Sequence, residues 1–130
     1  MTLKTVSASP FETAFGFSRA VRRGDRILVS GTAPVEPDGT STIGDAAVQA
    51  RRCFAVILNA VEELGGCAAD VVRTRMFITD PADGEAIGAV HGEIFRDIRP
   101  AATMVVVSAL LRPEWRIEIE AEALVGDDPA

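Results

Sequence analysis

The sequence is poor in the residues that most chemistry is built from: one histidine, two cysteines, one tryptophan and no tyrosine. It also lacks any apolar run of the roughly 18 residues a membrane helix needs. Each shortage closes a class of function. With His91 alone and no nucleophile-elbow motif, no Ser-His-Asp arrangement can be assembled. Cys53 and Cys67 form no CxxC pair, so neither a zinc site nor a disulfide framework is indicated. The segment "GDRILVSG" has glycines but not the spacing of a phosphate loop. Lysine and arginine number 13 against 19 acidic residues, a formal charge of −6. That balance, with no basic stripe, speaks against nucleic acid as a partner, since phosphate contacts need a basic surface. Met1 to Ser9 has no apolar core, so no signal peptide is expected; a cytoplasmic protein without membrane attachment is the expectation.

What is present fits one globular unit over residues 1–130. The chain is 48% hydrophobic and 25% charged, enough to bury a core. Phe15 to Val21 and Arg26 to Ser30 read as two strands joined by a turn at Arg23-Gly24-Asp25. Pro34 to Gly44 reads as a loop around Pro37-Asp38-Gly39. Asp45 is placed to cap a helix whose apolar face runs Phe54, Ile57, Leu58, Val61, Leu64, and Gly65-Gly66 ends it. "DVVRTRMFIT" (Asp70 to Thr79) reads as a strand with Val72, Thr74, Met76 and Ile78 on one face and Arg73, Arg75 and Phe77 on the other. A second helix follows Asp80-Pro81, with Ile87, Val90, Ile94, Phe95 and Ile98 as its apolar stripe and Pro100 as its stop. "TMVVVSAL" (Thr103 to Leu110) has the continuous apolarity of a central strand covered on both faces. The tail from Gly126 to Ala130 is polar and expected to fray.

The last strand, "RIEIEAEA", puts Glu118, Glu120 and Glu122 on one face and Ile117, Ile119, Ala121 and Ala123 on the other. The order β-β-α-β-α-β-β, in the α+β class, lets two helices cover one face of a mixed sheet. The other face, with Arg73, Arg75, Phe77, Glu118 and Glu120, is left open, and such a face on a small domain calls for a partner. A homo-oligomer built sheet to sheet is the expectation.

Five segments in this order resemble the RidA/YjgF family of reactive-intermediate deaminases, also labelled endoribonuclease L-PSP or translation-inhibitor proteins. They are "ILVSGTAPV", "DAAVQARRCFAVILNAVEELGG", "DVVRTRMFITD", "RPAATMVVVSAL" and "RIEIEAEA", and the likeness runs from about Phe11 to Leu124. The resemblance implies a chorismate-mutase-like fold in a homotrimer, with sheets facing inward and small ligands held in clefts between subunits. It further implies hydrolysis of imines or enamines, such as 2-iminobutyrate and 2-aminoacrylate, without metal or organic cofactor. Its catalytic positions fall on Glu118, which would hold the attacking water, and on Ser30, followed by Gly31. The ligand-binding positions fall on Phe17, Gly31, Gly88, Ala101, Ala102 and Thr103.

Three of these positions depart from the active pattern. Ala102 stands where active members carry an arginine that grips the substrate carboxylate, Phe17 where they carry a tyrosine, and Gly88 where they carry an asparagine. A lost bidentate contact costs a few kcal/mol of binding, and about 1.4 kcal/mol is tenfold. Little 2-iminobutyrate activity is therefore expected. Arg75 is the leading replacement cation, against the alternative that it pairs with Glu118, Glu120 or Glu122; Arg99 is a second candidate. A divergent imine hydrolase and a non-catalytic ligand-binding trimer both remain open, and a ribonuclease is the weaker alternative because of the acidic charge.

Overall fold

Asp45 starts the longest helix in the way its position suggests: its side chain accepts from the Val48 backbone N–H at 2.9 Å. The helix it caps, α2, spans Ala46–Glu63, and its apolar stripe buries Ala50, Cys53, Phe54, Ile57, Ala60 and Val61. It ends on a Schellman motif. Gly65, at φ 90°, donates to Glu62 O, and Gly66 donates to Val61 O, so the positive φ falls on a residue without Cβ strain.

The structure, a computed structural model, describes residues 2–5 and 9–126, so the polar tail beyond Gly126 lies outside the described residues. Around α2 the chain forms β1 (Thr2–Thr5), α1 (Phe11–Phe15), β2 (Ala20–Arg23), β3 (Arg26–Thr32), β4 (Val71–Ile78), α3 (Gly84–Phe95), β5 (Ala101–Val106) and β6 (Ile117–Leu124). Six strands make one mixed sheet in the order β1-β2-β3-β6-β4-β5. Only β4 and β5, joined through α3, run parallel. This is an α+β fold, and α2 and α3 lie on one face of the sheet.

The core lies between helices and sheet. Ile27 and Val29 of β3, Met76 and Ile78 of β4, and Ile117, Ile119, Ala121 and Ala123 of β6 meet Phe54, Ile57 and Val61 of α2 and Ile87, Val90 and Phe95 of α3. The strict alternation of β6 is what sends its apolar half inward. On the far face Leu28, Val72 and Val105 are exposed beside the charged residues of β4 and β6.

Three expectations need correction. The segment from Phe15 is not a strand until Ala20: Phe11–Phe15 is a single helical turn, and Gly16 at φ 76° reverses the chain. Phe11 and Phe15 stack with centroids 5.5 Å apart, the i, i+4 contact of a helical turn. Second, the apolar run after Pro100 is an edge strand, not a central one, because β6 fills the other side of β4. Its valines Val105 and Val106 are exposed, so their apolarity marks an uncovered surface rather than a doubly covered strand. Third, Val72 is exposed while Val71 is buried, because a register shift between Val71 and Arg73 moves the alternation by one residue.

Candidate functional site

The site begins at an irregularity in β3. Val29 pairs with Ala121 and Thr32 with Ile119, so β3 spends one more residue than β6 over this stretch. The bulge falls on Ser30-Gly31, and bulges of this kind re-aim side chains at functional sites. Here it carries the β3 backbone up against Glu118 of β6. A Cβ placed on Gly31 would collide with Glu118 Oε2, so glycine is what lets the carboxylate lie against the strand.

The bulge is propped from behind by Arg19. Its guanidinium Nη1 donates to Gly31 O at 2.6 Å and to Thr32 Oγ1 at 2.9 Å, with a longer contact to Ser30 O at 3.4 Å. Its Nε lies 3.5 Å from Glu12 of α1, and the two side chains are only 5% and 3% exposed. Breaking a pair this buried leaves an uncompensated charge, so Glu12 fixes α1 over the bulge.

That docking encloses a cavity of about 160 Å³. Phe11, Phe15, Phe17 and Trp115 give it aromatic walls; Gly31, Thr32 and Ala33 form its floor; Arg19, Arg52 and Glu118 are its charged members. Arg112 ties the rim together, with its guanidinium 5.6 Å from the ring centres of both Phe11 and Trp115. Trp115 is fixed by the loop before α2: its indole N–H donates to Ser41 Oγ at 3.0 Å. Buried Gln49 donates to Glu114 O and accepts from the Arg116 backbone N–H, holding the connector to β6.

Burial raises the Glu118 carboxyl above its ordinary value; Arg19 opposes the rise and Glu120 adds to it. A carboxyl tuned toward neutrality can accept a proton and give it back. Of the other residues singled out from the sequence, two share the cavity and the rest do not. Phe17 and Gly31 join Glu118 in the cavity. Ser30 stands beside it, but its hydroxyl donates to Ser18 O at 2.7 Å. Arg75 is engaged on the open sheet face, 2.9 Å from Glu120 and 3.6 Å from Glu122. Gly88 is exposed on α3, and Ala101, Ala102 and Thr103 are exposed on edge strand β5. Arg99 ends the α3 region in a left-handed turn at φ 55°, away from the cavity lining.

His91 is a packing residue. Its Nε2 is 2.8 Å from Thr74 Oγ1, its ring lies against Phe54 and Phe95, and burial lowers its pKa toward the neutral form. Cys53 is buried with its thiol pushed far up by desolvation, and Cys67 is exposed. Among the described residues no cluster of three His, Cys, Asp or Glu is arranged to hold a metal, and no helix is long and apolar enough to cross a membrane.

Sequence reasoning passed over Arg19, Arg52, Glu12 and Trp115. No period marks Arg19, which lies in the bend between α1 and β2. Arg52 and Trp115 come from a helix and a connector, and no periodicity joins them.

Comparison with known proteins supports the fold. The family model described as Endoribonuclease L-PSP matches residues 7–125. The chain is 35% identical over 107 residues to the 3-aminoacrylate deaminase RutC of Acinetobacter baylyi, covering 82% of this chain and 84% of that protein. It is 31% identical over 125 residues to the 2-iminobutanoate/2-iminopropanoate deaminase of Escherichia coli, covering 93% and 97%. Among solved structures, a Mycobacterium tuberculosis member of the YjgF/YER057c/UK114 family superposes with a TM-score of 0.88 at 40% identity, covering 96% of this chain and all of that one (100%).

Proposed function

The chain belongs to the RidA/YjgF (endoribonuclease L-PSP) family, and from that premise we propose that it hydrolyses a small imine or enamine in the cavity beside Glu118. The observation that carries the reading is Glu118 itself: a carboxyl raised by burial, seated on Gly31 in an aromatic cavity. In the proposed reaction, Glu118 takes a proton from water as the water oxygen adds to the C=N carbon. Glu118 passes that proton to the imine nitrogen, giving a neutral carbinolamine. It then takes the carbinol hydroxyl proton as C=O forms and hands it to the same nitrogen, so the C–N bond breaks and NH3 leaves. An enamine substrate first takes a proton on carbon to become the imine. These proton transfers all use one carboxyl whose pKa lies nearer neutrality than an ordinary glutamate's.

In the proposed assembly the open sheet faces and the β5 edges of three copies meet. The support is the exposed Val105 and Val106 on β5 and Leu28 and Val72 on the open face. Ala101, Ala102, Thr103 and Gly88 then border a neighbouring cavity. A second reading, a trimer that binds a small ligand without turning it over, draws on Ala102 and Arg75. The first presents a methyl group where a carboxylate clamp would stand, and the second is taken up by Glu120 and Glu122.

Ammonia release tests both. With 2-iminobutanoate generated by threonine dehydratase, the protein is expected to add little to the spontaneous rate, and Ala102→Arg to raise it. Imines made in situ from larger amino and keto compounds are expected to be hydrolysed, and Glu118→Gln to lower that rate about 10²–10⁴-fold. Rapid 2-iminobutanoate turnover by the unaltered chain contradicts the argument from Ala102. No accelerated hydrolysis of any imine favours the binding reading.

A further inference from the structure

Arg52 is the one charged member of the cavity that the account above leaves without a task. It lies on α2, half-buried, and its Nε donates to Val35 O at 2.7 Å. Among the described residues neither of its terminal nitrogens has a hydrogen-bond or ion-pair partner. Arg19, by contrast, is committed to the backbone of the bulge and to Glu12. A guanidinium anchored at Nε by a backbone carbonyl is held in orientation while its two-pronged edge stays open, which is the arrangement that recognises a planar oxyanion.

The two open charges stand at different ends of one wall. Gly31 meets the Glu118 carboxylate, and Val35 meets Arg52. The four residue steps between them span at most about 14 Å of extended chain. Apolar and aromatic groups, Ala33, Val56 and Trp115 among them, line the space these ends share. The volume, about 160 Å³, is close to that of the apolar cavity of about 150 Å³ that holds a benzene ring.

We infer that Arg52 is the anion anchor of this cavity, and that the ligand is a small oxo or imino acid whose carboxylate lies several bonds from the C=O or C=N that reaches Glu118. The inference rests on the imine-hydrolase reading for the reacting end only; the anion-binding end stands on Arg52. It also accounts for Ala102 differently from a simple loss. A 2-imino acid carries its carboxylate directly on the imine carbon, so both of its groups fall at one end of the wall. On this proposal a ligand with separated ends reaches from Glu118 to Arg52 and needs no cation at position 102.

Trp115, the sole tryptophan, lines the cavity and supplies the readout. The wild-type chain, Arg52→Gln and Arg52→Lys are titrated with 4-oxopentanoate and with 2-oxobutanoate, following indole fluorescence and the ligand-induced change in melting temperature. The expected result is saturable binding of 4-oxopentanoate, weakened about tenfold or more by Arg52→Gln and partly restored by Arg52→Lys, with 2-oxobutanoate binding more weakly. Equal affinities for the two acids, no binding of 4-oxopentanoate, or binding indifferent to both Arg52 variants overturns the inference. Because Arg52→Lys keeps the charge, a Gln variant that fails to fold leaves the lysine comparison decisive: unchanged affinity there together with undiscriminating acid binding also overturns it. Arg52-dependent binding in a protein that hydrolyses no imine upholds the anion anchor and rejects the hydrolase reading, so the two fail separately.

Discussion

Glu118 and Glu120 stand two residues apart on the same face of the same strand, and their surroundings could hardly differ more. Across the sheet, Glu120 is paired in register with Arg75, and Glu118 with Phe77. Glu120 therefore finds a guanidinium at 2.9 Å, while Glu118 finds a ring on one side and the bulged backbone at Gly31 on the other. Glu122 resembles Glu120, since Arg26 and Arg75 both reach it. A strand's own sequence sets which face a side chain takes; the neighbouring strands set what it meets there. One register position separates a carboxylate held in a solvent-washed charge pair from one held in an aromatic cavity.

The contrast can be attacked first at Gly31. Gly31→Ala adds a Cβ that must displace the Glu118 carboxylate, the mobile end of a flexible side chain, so the fold should tolerate it. We expect imine hydrolysis to fall on the order of tenfold to a hundredfold, with the melting temperature nearly unchanged; steady-state rates and thermal melts check this. Unaltered turnover would mean that the position of Glu118 against the bulge is immaterial.

A smaller effect is expected at the other member of the pair. Glu120→Gln leaves Arg75 with Glu122, and both Arg75 and Glu120 are partly solvent-exposed, so the stability change should be under about 1 kcal/mol by chemical denaturation. Its turnover should stay within about twofold, with the rate-against-pH curve displaced slightly toward acid. That direction follows because Glu120 is one of the influences raising Glu118. A loss comparable to that of Gly31→Ala would erase the distinction between the two carboxylates.

These differences set how much the sequence reveals. The α+β class, α2 with its Asp45 cap, α3, and the alternation of β6 are all readable, because each rests on a local period or a capping residue. The open sheet face is readable for the same reason. The bulge at Ser30-Gly31 is not, since it appears only when β3 is laid against β6. That Arg75 pairs with glutamates of β6 is readable as an alternative, but which glutamates it takes depends on cross-strand register. Helix α1 was hidden by two phenylalanines that suit a strand as well as a helical turn, and with it went Glu12 and the docking of Arg19. The exposed edge position of β5 is invisible to a hydrophobicity pattern, which reports apolar residues without saying whether this chain or another covers them.

The central claim, that Glu118 holds an uncompensated carboxyl in the cavity, is tested most directly by thermal stability against pH in the wild-type chain and Glu118→Gln. The sign follows from linkage. A carboxyl whose folded pKa is raised contributes stability that is fully present below its unfolded value of about 4.3 and is lost as pH rises through the folded value. Glutamine does not titrate. The melting temperature of Glu118→Gln minus that of wild type should therefore increase as pH rises from about 4 toward neutrality, then level off. A difference that stays flat, or that falls as pH rises, would contradict the account, because it would place Glu118 in the same kind of compensated setting as Glu120.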